Sequence, residues 1–227
     1  VETWTYHATH NVATSYTFTP PSGSGEPTLR TVYTVDGTTG NVTRERQVKN
    51  LDDSVTPSDA TANPDIVIDY QYTDGTETGT PPKGLLEWMR VTSHPNTPIT
   101  TYEYNINGEL EKVTYPDPDG GGTLRSPVLD YAWNTSGLLK GTLASVTETD
   151  AGGNYSYVTN YEYYNDGKLK KVLSPDPDGA GGLPRPVVQY TYHADGTVDT
   201  VTETTDAAGA PQLVTNYDYT NGMLTKV

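Results

Sequence analysis

The sequence predicts an all-β protein made of stacked β-hairpin repeats, with little or no helix. Tyr-x-Tyr pairs recur along the chain, and most are followed by an Asn-Gly or Asp-Gly dipeptide, which favours tight hairpin turns. Four pairs and a degenerate copy, Tyr131-Ala-Trp133, start at positions 102, 131, 161, 190 and 217, so the steps are 29, 30, 29 and 27 residues. A period this regular is typical of a repeat protein.

The composition agrees with a folded chain that has many turns. Only 33% of the 227 residues are hydrophobic and the net charge is −15, but 18 Tyr and 3 Trp supply apolar area that the aliphatic residues do not. Tyrosine also suits a half-buried pleated surface. The 22 Gly and 17 Pro fall short of the composition of low-complexity disorder.

The repeat unit has the form Tyr-x-Tyr-x-x-(Asn/Asp)-Gly-x-Leu-x-x-Val. Both tyrosine rings are expected on one face of a strand because successive side chains alternate. The spacing of three between Leu and Val breaks this alternation, which predicts a β-bulge or a corner where the chain leaves the hairpin. A single hairpin is marginal in water, so the hairpins must stack to bury their tyrosines.

About eight such units are predicted to form a single array over residues 1–227, strongest over 102–227 and looser, with insertions, over 1–101. Residues 19–28 and 50–68 are expected to be loops, and 83–91 a strand or a short helix. The predicted packing residues are Tyr102, Tyr104, Leu110, Val113, Tyr131, Trp133, Leu139, Tyr161, Tyr163, Leu169, Val172, Tyr190, Tyr192, Val198, Val201, Tyr217, Tyr219 and Leu224. The predicted turn residues are Gly108, Gly137, Gly167, Gly196 and Gly222.

This unit resembles the YD repeat of RHS proteins, teneurins and the shell components of insecticidal Tc toxins. The resemblance implies a curved or spiralling β-strip that forms part of a hollow shell. It also implies an extracellular or cell-surface location, and a structural role within a larger protein. The implied partners are flanking repeats and a domain of the same protein that the shell encloses or displays.

A longer string, residues 115–131, returns at 174–190 and carries Asp-Pro-Asp-Gly in both copies. Asp117, Asp119, Asp176 and Asp178 are therefore candidate calcium ligands, because calcium takes six to eight oxygen ligands. The twelfth position of an EF-hand loop, normally Glu, would be Val128 or Val187 here. The alternative is a type I turn, which favours Asp first, Pro second and Gly fourth. No other cofactor is expected.

The alternative function is a carbohydrate-binding or adhesive surface. The regular tyrosines recur with the period of the stack, so packing explains them. The less regular aromatic residues are the better candidates to bind a sugar: Trp4, Tyr16, Trp88, Trp133, Tyr155 and Tyr164.

An enzyme is not expected, since the chain has no cysteine, no Gly-x-Ser-x-Gly elbow and no phosphate-binding glycine loop. His7 and His10 are expected on opposite faces of a strand. The acidic balance argues against nucleic acid as a partner, and no stretch of about 18 apolar residues is present to enter a membrane. The terminal units are expected to expose unpaired strand edges, which favours end-to-end self-association.

Overall fold

A computed structural model describes residues 1–24, 28–48, 65–92, 97–153, 155–179, 181–205 and 212–227. The predicted all-β fold with little helix is confirmed, because the described residues hold seventeen strands and a single 3₁₀ turn at Gly137–Leu139. They form two compact units, Val1–Gly122 and Thr123–Val227. The prediction of a single array over 1–227 stays a prediction.

The first unit contains strands β1 to β8, which form an antiparallel meander. Hairpins β1–β2, β3–β4, β5–β6 and β7–β8 follow one another, and β2, β4 and β6 each pair with the first strand of the next hairpin. The strands are β1 (Glu2–Tyr6), β2 (Ala13–Phe18), β3 (Leu29–Val35), β4 (Val42–Val48), β5 (Ile66–Tyr72), β6 (Leu86–Val91), β7 (Ile99–Tyr104) and β8 (Leu110–Thr114).

The second unit repeats this arrangement with hairpins β9–β10, β11–β12 and β13–β14, joined through the pairs β10–β11, β12–β13 and β14–β15. The strand is interrupted at Tyr217, whose amide still donates to the Asp199 carbonyl at 2.8 Å, and the chain then forms the final hairpin β16–β17. The strands are β9 (Val128–Trp133), β10 (Leu143–Thr149), β11 (Ser156–Tyr163), β12 (Leu169–Leu173), β13 (Pro186–Tyr192), β14 (Val198–Thr205), β15 (Leu213–Asn216), β16 (Asp218–Thr220) and β17 (Met223–Lys226).

A β-bulge lies at the same place in all eight described hairpins. In β7–β8, Tyr102 pairs with Val113 and Tyr104 with Leu110, so Glu111 is an extra residue between them. The ladders of the other seven hairpins shift at the corresponding step. The extra residue returns Leu and Val to one face despite their spacing of three. The predicted bulge is confirmed, but it lies beside the turn rather than where the chain leaves the hairpin.

The hairpin β9–β10 differs from its predicted form. Leu139, expected on the return strand, lies in the 3₁₀ turn, and Leu143 pairs with Trp133 instead. Leu143 and Val146 are then three residues apart, as in the other copies. A longer turn explains the shift. The backbone amide of Asn134 donates to the Thr142 carbonyl at 2.9 Å, so the turn extends to Thr142 and the return strand begins only at Leu143.

The structure describes the predicted strand or helix over 83–91 and parts of the two predicted loops. Residues 86–91 form strand β6, not a helix, and a long loop before it holds the insertion after Tyr72. In the predicted loop 50–68, residues 66–68 belong to strand β5, and residues 50–64 lie outside the described residues. Residues 25–27 of the predicted loop 19–28 also lie outside them. The described part of the chain holds no helix with the length and apolar character needed to cross a membrane.

Candidate functional site

The tyrosine-bearing face is the most regular feature of both units. In β7, Tyr102 and Tyr104 are half-buried, whereas Glu103 between them is exposed. The same alternation occurs in β11, β13 and β16, where the residues between the rings (Glu162, Thr191 and Asp218) are exposed. The rings therefore share one face of the sheet, as the repeat predicts.

Hydroxyl groups on this face link successive hairpins. Tyr72 donates to the Val42 carbonyl at 2.9 Å, Tyr104 to the Leu86 carbonyl at 3.0 Å and Tyr192 to the Leu169 carbonyl at 2.8 Å. Each acceptor belongs to the preceding hairpin, in the residue just before its bulge. A bulge disrupts the ladder locally. The carbonyl of the residue before the bulge can therefore accept a hydrogen bond from a side chain of the next hairpin.

A phenol is already protonated at neutral pH and can donate, and burial raises the pKa of these hydroxyls further. Burial is the main cause that raises the pKa of Tyr104 and of Tyr192 above the ordinary value of 10.0. The pKa of Tyr70 is raised to about 12 by burial and then by the nearby charge of Glu45, whose carboxylate accepts from the Tyr70 hydroxyl at 3.3 Å.

The other predicted packing and turn residues are placed as follows. Tyr131, Trp133, Leu139, Tyr161, Tyr163, Leu169, Val172, Tyr190, Val198, Val201, Tyr217 and Tyr219 are half-buried, as is Leu110, and Val113 is buried. Leu224, in the final hairpin, is 52% exposed. The turn residues Gly108, Gly137, Gly167, Gly196 and Gly222 have φ values of 84°, 73°, 85°, 90° and 75°, in the region that favours glycine.

Three arginines reinforce the strand ladders, and the repeat pattern did not predict them. Arg44 makes a two-pronged contact with Asp69 at 2.5 and 3.0 Å, and Arg46 donates to the fully buried Asp65 at 2.7 Å. In the second unit, Arg185 donates to the carbonyls of Ser174, Leu173 and Val158 and to the Asn160 side chain, at 2.7 to 3.1 Å. These residues lie outside the Tyr-Gly-Leu-Val positions, so nothing in the repeat marks them.

The candidate calcium ligands accept hydrogen bonds from their own loops. Asp117 accepts from the amides of Asp119 and Gly121 at 3.1 and 3.0 Å. In the second copy, Asp176 accepts from the Asp178 amide at 3.2 Å and Asp178 from the Leu183 amide at 3.0 Å. Among the described residues, no group of three or more His, Cys, Asp or Glu side chains converges as a metal site would require. The geometry is that of a carboxylate-stabilised turn, and calcium binding stays a prediction.

An exposed aromatic pair lies at the start of β11. Tyr155 and Tyr157 are 62% and 42% exposed, and their rings lie nearly parallel at 18° with centroids 6.2 Å apart. Glu148 pairs with Tyr157 across the ladder and therefore shares its face. Neither ring belongs to the repeating packing positions, so packing within a hairpin does not explain this pair.

The remaining irregular aromatic residues have partners. The Trp4 ring lies 4.4 Å from the Tyr16 ring, and Arg90 lies over Trp88 at 5.0 Å. The Tyr164 ring meets Tyr192 edge to face at 6.0 Å. Trp133 is half-buried in β9.

Two histidine contacts involve hairpin turns. The prediction that His7 and His10 occupy opposite faces of a strand is wrong, because both lie in the turn after β1 and their rings approach to 5.1 Å. His193 lies 3.0 Å from the Tyr217 carbonyl and 3.6 Å from the Asp199 carboxylate. This histidine thus contacts the point where β15 ends and the final hairpin begins.

Two grooves of the first unit contain titratable side chains. A groove of 530 Å³ lies between two hairpin turns and includes Asp36, Asn41 and Tyr72. Another of 340 Å³ is lined by Glu77, Glu87 and other carboxylates. Burial, followed by the charges of Glu77 and Asp74, raises the pKa of Glu87, but Glu77 itself accepts from the amides of Asp74 and Gly75 and serves its loop.

Comparison with known proteins gives a likeness in structure only. No protein-family model and no curated protein matches the sequence. The structure is similar to a TcdB2-TccC3-Cdc42 structure with a TM-score of 0.50 and 13% identity, over 94% of this chain and 12% of that chain. It is also similar to a TcdB2-TccC3-TEV structure, with a TM-score of 0.47 and 14% identity over 96% of this chain and 12% of that one.

A third similar structure is a Photorhabdus luminescens Tc holotoxin pore, with a TM-score of 0.42 and 13% identity over 95% of this chain and 13% of that chain. This chain therefore spans about one eighth of the length of each of these three chains. At 13% identity, the likeness to the TcdB2-TccC3-Cdc42 structure is evidence about the fold alone.

Proposed function

We propose that this chain is a structural repeat segment of a larger secreted or surface protein, forming part of a β-shell or stalk. The observation that carries the proposal is the row of tyrosine hydroxyls that bind bulge carbonyls of the preceding hairpin. These contacts use the most regular residues of the sequence to join one hairpin to the next. A surface evolved for a ligand would instead leave such hydroxyls free to bind it.

In this proposal the chain has no catalytic activity of its own. Its partners are flanking repeats and a domain of the same protein that the shell encloses or displays. The likeness to the TcdB2-TccC3-Cdc42 structure is consistent with a hairpin-repeat fold of this kind. The calcium candidates fit the same role, because their carboxylates hold the loops between hairpins.

The experiment that tests this proposal removes single hydroxyls. Tyr104→Phe and Tyr192→Phe should each lower the free energy of unfolding by about 1 kcal/mol, because each loses one hydrogen bond between hairpins. Tyr155→Phe, at an exposed ring that holds no hairpins together, is the matched control and should change the free energy little. Urea unfolding followed by circular dichroism measures all three. Equal stability for the three variants would contradict the proposal.

The exposed Tyr155–Tyr157 pair favours carbohydrate binding as a second candidate function. The two exposed rings are nearly parallel and offer aromatic faces on which a sugar can stack, and Glu148 on the same face as Tyr157 offers a carboxylate to sugar hydroxyls. A glycan array of the wild-type chain, with calcium and again with chelator, should then give saturable binding. Tyr155→Ala with Tyr157→Ala should abolish this binding, while Tyr115→Ala, at another exposed tyrosine, should preserve it.

Binding that survives loss of both rings would argue against this platform. Binding lost only in chelator would favour a calcium role for the Asp-Pro-Asp-Gly loops. No binding in either condition would remove the second candidate and leave the scaffold role.

A further inference from the structure

The face of the first unit opposite the tyrosine rings carries most of that unit's described positive charge. Residues directly opposite each other in a ladder share a face, and side chains alternate along each strand. The registers therefore place one row of side chains across strands β3 to β7: Thr34, Arg44, Asp69, Arg90 and Ile99. Five of the six Lys and Arg residues described in this unit lie on this face, which we call the arginine face: Arg30, Arg44, Arg46, Arg90 and Lys112.

In this row the positive charges are more exposed than the negative charge between them. Arg44 binds Asp69 through two contacts of 2.5 and 3.0 Å, and the two side chains are 48% and 12% exposed. Arg90 is 42% exposed, and its Nη2 lies 4.0 Å from the same carboxylate, beyond hydrogen-bond distance. A partner that approaches the row therefore meets two guanidinium groups before it meets the carboxylate.

Arg90 is held in place, but not by an acceptor for its Nε. This nitrogen is buried and has no hydrogen-bond partner among the described residues. The guanidinium lies over the ring of the half-buried Trp88 at 5.0 Å, a cation–π contact that orients it. Ile99 pairs with Arg90 across the ladder and is 40% exposed, so apolar surface lies beside the charge.

We propose that the arginine face of the first unit binds an acidic polypeptide segment, with Arg44, Arg90 and Trp88 as the contact residues. A carboxylate matches the fork of a guanidinium, which can donate two parallel hydrogen bonds to it. Trp and Arg are also the residue types that contribute most at protein–protein interfaces. The inference goes beyond the scaffold role and does not depend on it, since that role is tested by stability and this one by binding.

The charge of the rest of the chain favours a short acidic segment over a nucleic acid. A nucleic acid gains its affinity from many phosphate contacts, which need many Lys and Arg side chains. The chain has 14 Lys and Arg against 29 Asp and Glu, so a long polyanion would be repelled beyond the arginine face. The row from Thr34 to Ile99 crosses five strands, about 19 Å, which is the length of about six extended residues.

Fluorescence anisotropy of a labelled peptide of six glutamates tests the proposal, with a peptide of six glutamines as the uncharged control. The glutamate peptide should bind saturably at low salt, and its affinity should fall as salt is added. Arg90→Gln should weaken binding about 3- to 20-fold by loss of the charged hydrogen bonds. Lys140→Gln removes an exposed positive charge from the β9–β10 turn and should leave the affinity unchanged.

Trp88 emission locates the peptide without any change to the arginine face. The chain has three tryptophans, and Trp4→Phe with Trp133→Phe leaves Trp88 as the reporter. Its emission should change over the same peptide concentrations as the anisotropy, because Arg90 lies over its ring. Saturable binding without a change in this emission would place the peptide elsewhere and overturn the proposal.

Other outcomes would also overturn it. Absence of saturable binding of the glutamate peptide to the wild-type chain would refute the proposal directly, and an equal loss in Lys140→Gln would mean unspecific attraction between charges. Equal affinity for a strand of six deoxythymidines, lost in Arg90→Gln, would mean a site for anions in general. A wild-type dimer in sedimentation velocity that Arg90→Gln dissociates would mean that the face binds a second copy of the chain instead.

Discussion

Among single residues, removal of one partner of the buried Arg46–Asp65 pair should cost the most stability. The Asp65 side chain is fully buried and that of Arg46 is 12% exposed, so neither charge can be solvated if its partner is removed. Asp65→Ala should therefore lower the free energy of unfolding by about 3–5 kcal/mol, measured by urea denaturation. Asp166→Ala removes one partner of the exposed Lys168–Asp166 pair and should cost less than about 1 kcal/mol. Similar losses in the two variants would show that burial does not govern these pairs.

His193 should make the final hairpin sensitive to pH. Its hydrogen bond to the Tyr217 carbonyl, then the charges of Asp199, Asp195 and Asp218, raise its pKa above the ordinary value of 6.5. A raised pKa in the folded state means that the protonated ring stabilises the fold. This stabilisation is complete below pH 6.5 and is lost as the pH rises through the folded pKa.

Hydrogen exchange of β15 to β17 is the measurement for His193. After correction for the intrinsic rate, protection should fall as the pH rises through the raised pKa of His193, and His193→Gln should remove this dependence. His7→Gln, in the turn after β1, is the control and should leave it intact. An unchanged pH dependence in His193→Gln would assign the effect to another group.

The choice of tyrosine over phenylalanine has a reason that only the structure supplies. The sequence contains 18 Tyr and one Phe, and a packing face would accept either ring. The contact of Tyr192 with the Leu169 carbonyl uses the hydroxyl, which alternation of side chains cannot predict. The excess of tyrosine was the one sequence signal for these contacts.

At the scale of the hairpin, the spacing of Leu and Val predicted the bulge, because only an extra residue can return both to one face. Its position could not be predicted, since a corner at the exit of the hairpin gives the same spacing. For a similar reason, the sequence could not show that Leu143, and not Leu139, pairs with Trp133 on the return strand. Both follow Gly137 at plausible distances, and the length of the turn decides between them.

Turn glycines should differ in their tolerance of a side chain according to φ. Gly167 has a φ of 85°, and a methyl group there would meet no atom within 4 Å, so any cost of Gly167→Ala comes from the backbone. That cost should be about 1–2 kcal/mol. Gly37→Ala is the matched control, because Gly37 has equal space without a positive φ. Thermal unfolding of both variants tests this, and equal melting temperatures would contradict it.

At the scale of the whole chain, each compact unit has its own ladders. In Val1–Gly122, every described strand from β1 to β8 pairs within the unit. A fragment of residues 1–122 should therefore unfold in one cooperative transition when it is expressed alone. Circular dichroism and near-ultraviolet signals recorded during urea denaturation should give one midpoint. A fragment without a cooperative transition would show that its ladders do not suffice.

Repeated sequence strings can hide structural differences at this scale. Residues 115–131 and 174–190 share ten of 17 residues, yet only in the second does an arginine bind three backbone carbonyls. An offset of 59 places Ser126 where Arg185 stands. The shared Asp-Pro-Asp-Gly string predicted the same role for both loops, but the arginine contacts depend on a residue that the two strings do not share.

In both units, each described ladder joins strands that are neighbours along the chain. Sequence separations between contacting residues are therefore short for a β-protein, which favours rapid folding. A chain emerging from a ribosome or a secretion pore needs no distant partner to complete a hairpin. Each hairpin can dock on the one already formed, so that folding advances in the direction in which the chain emerges.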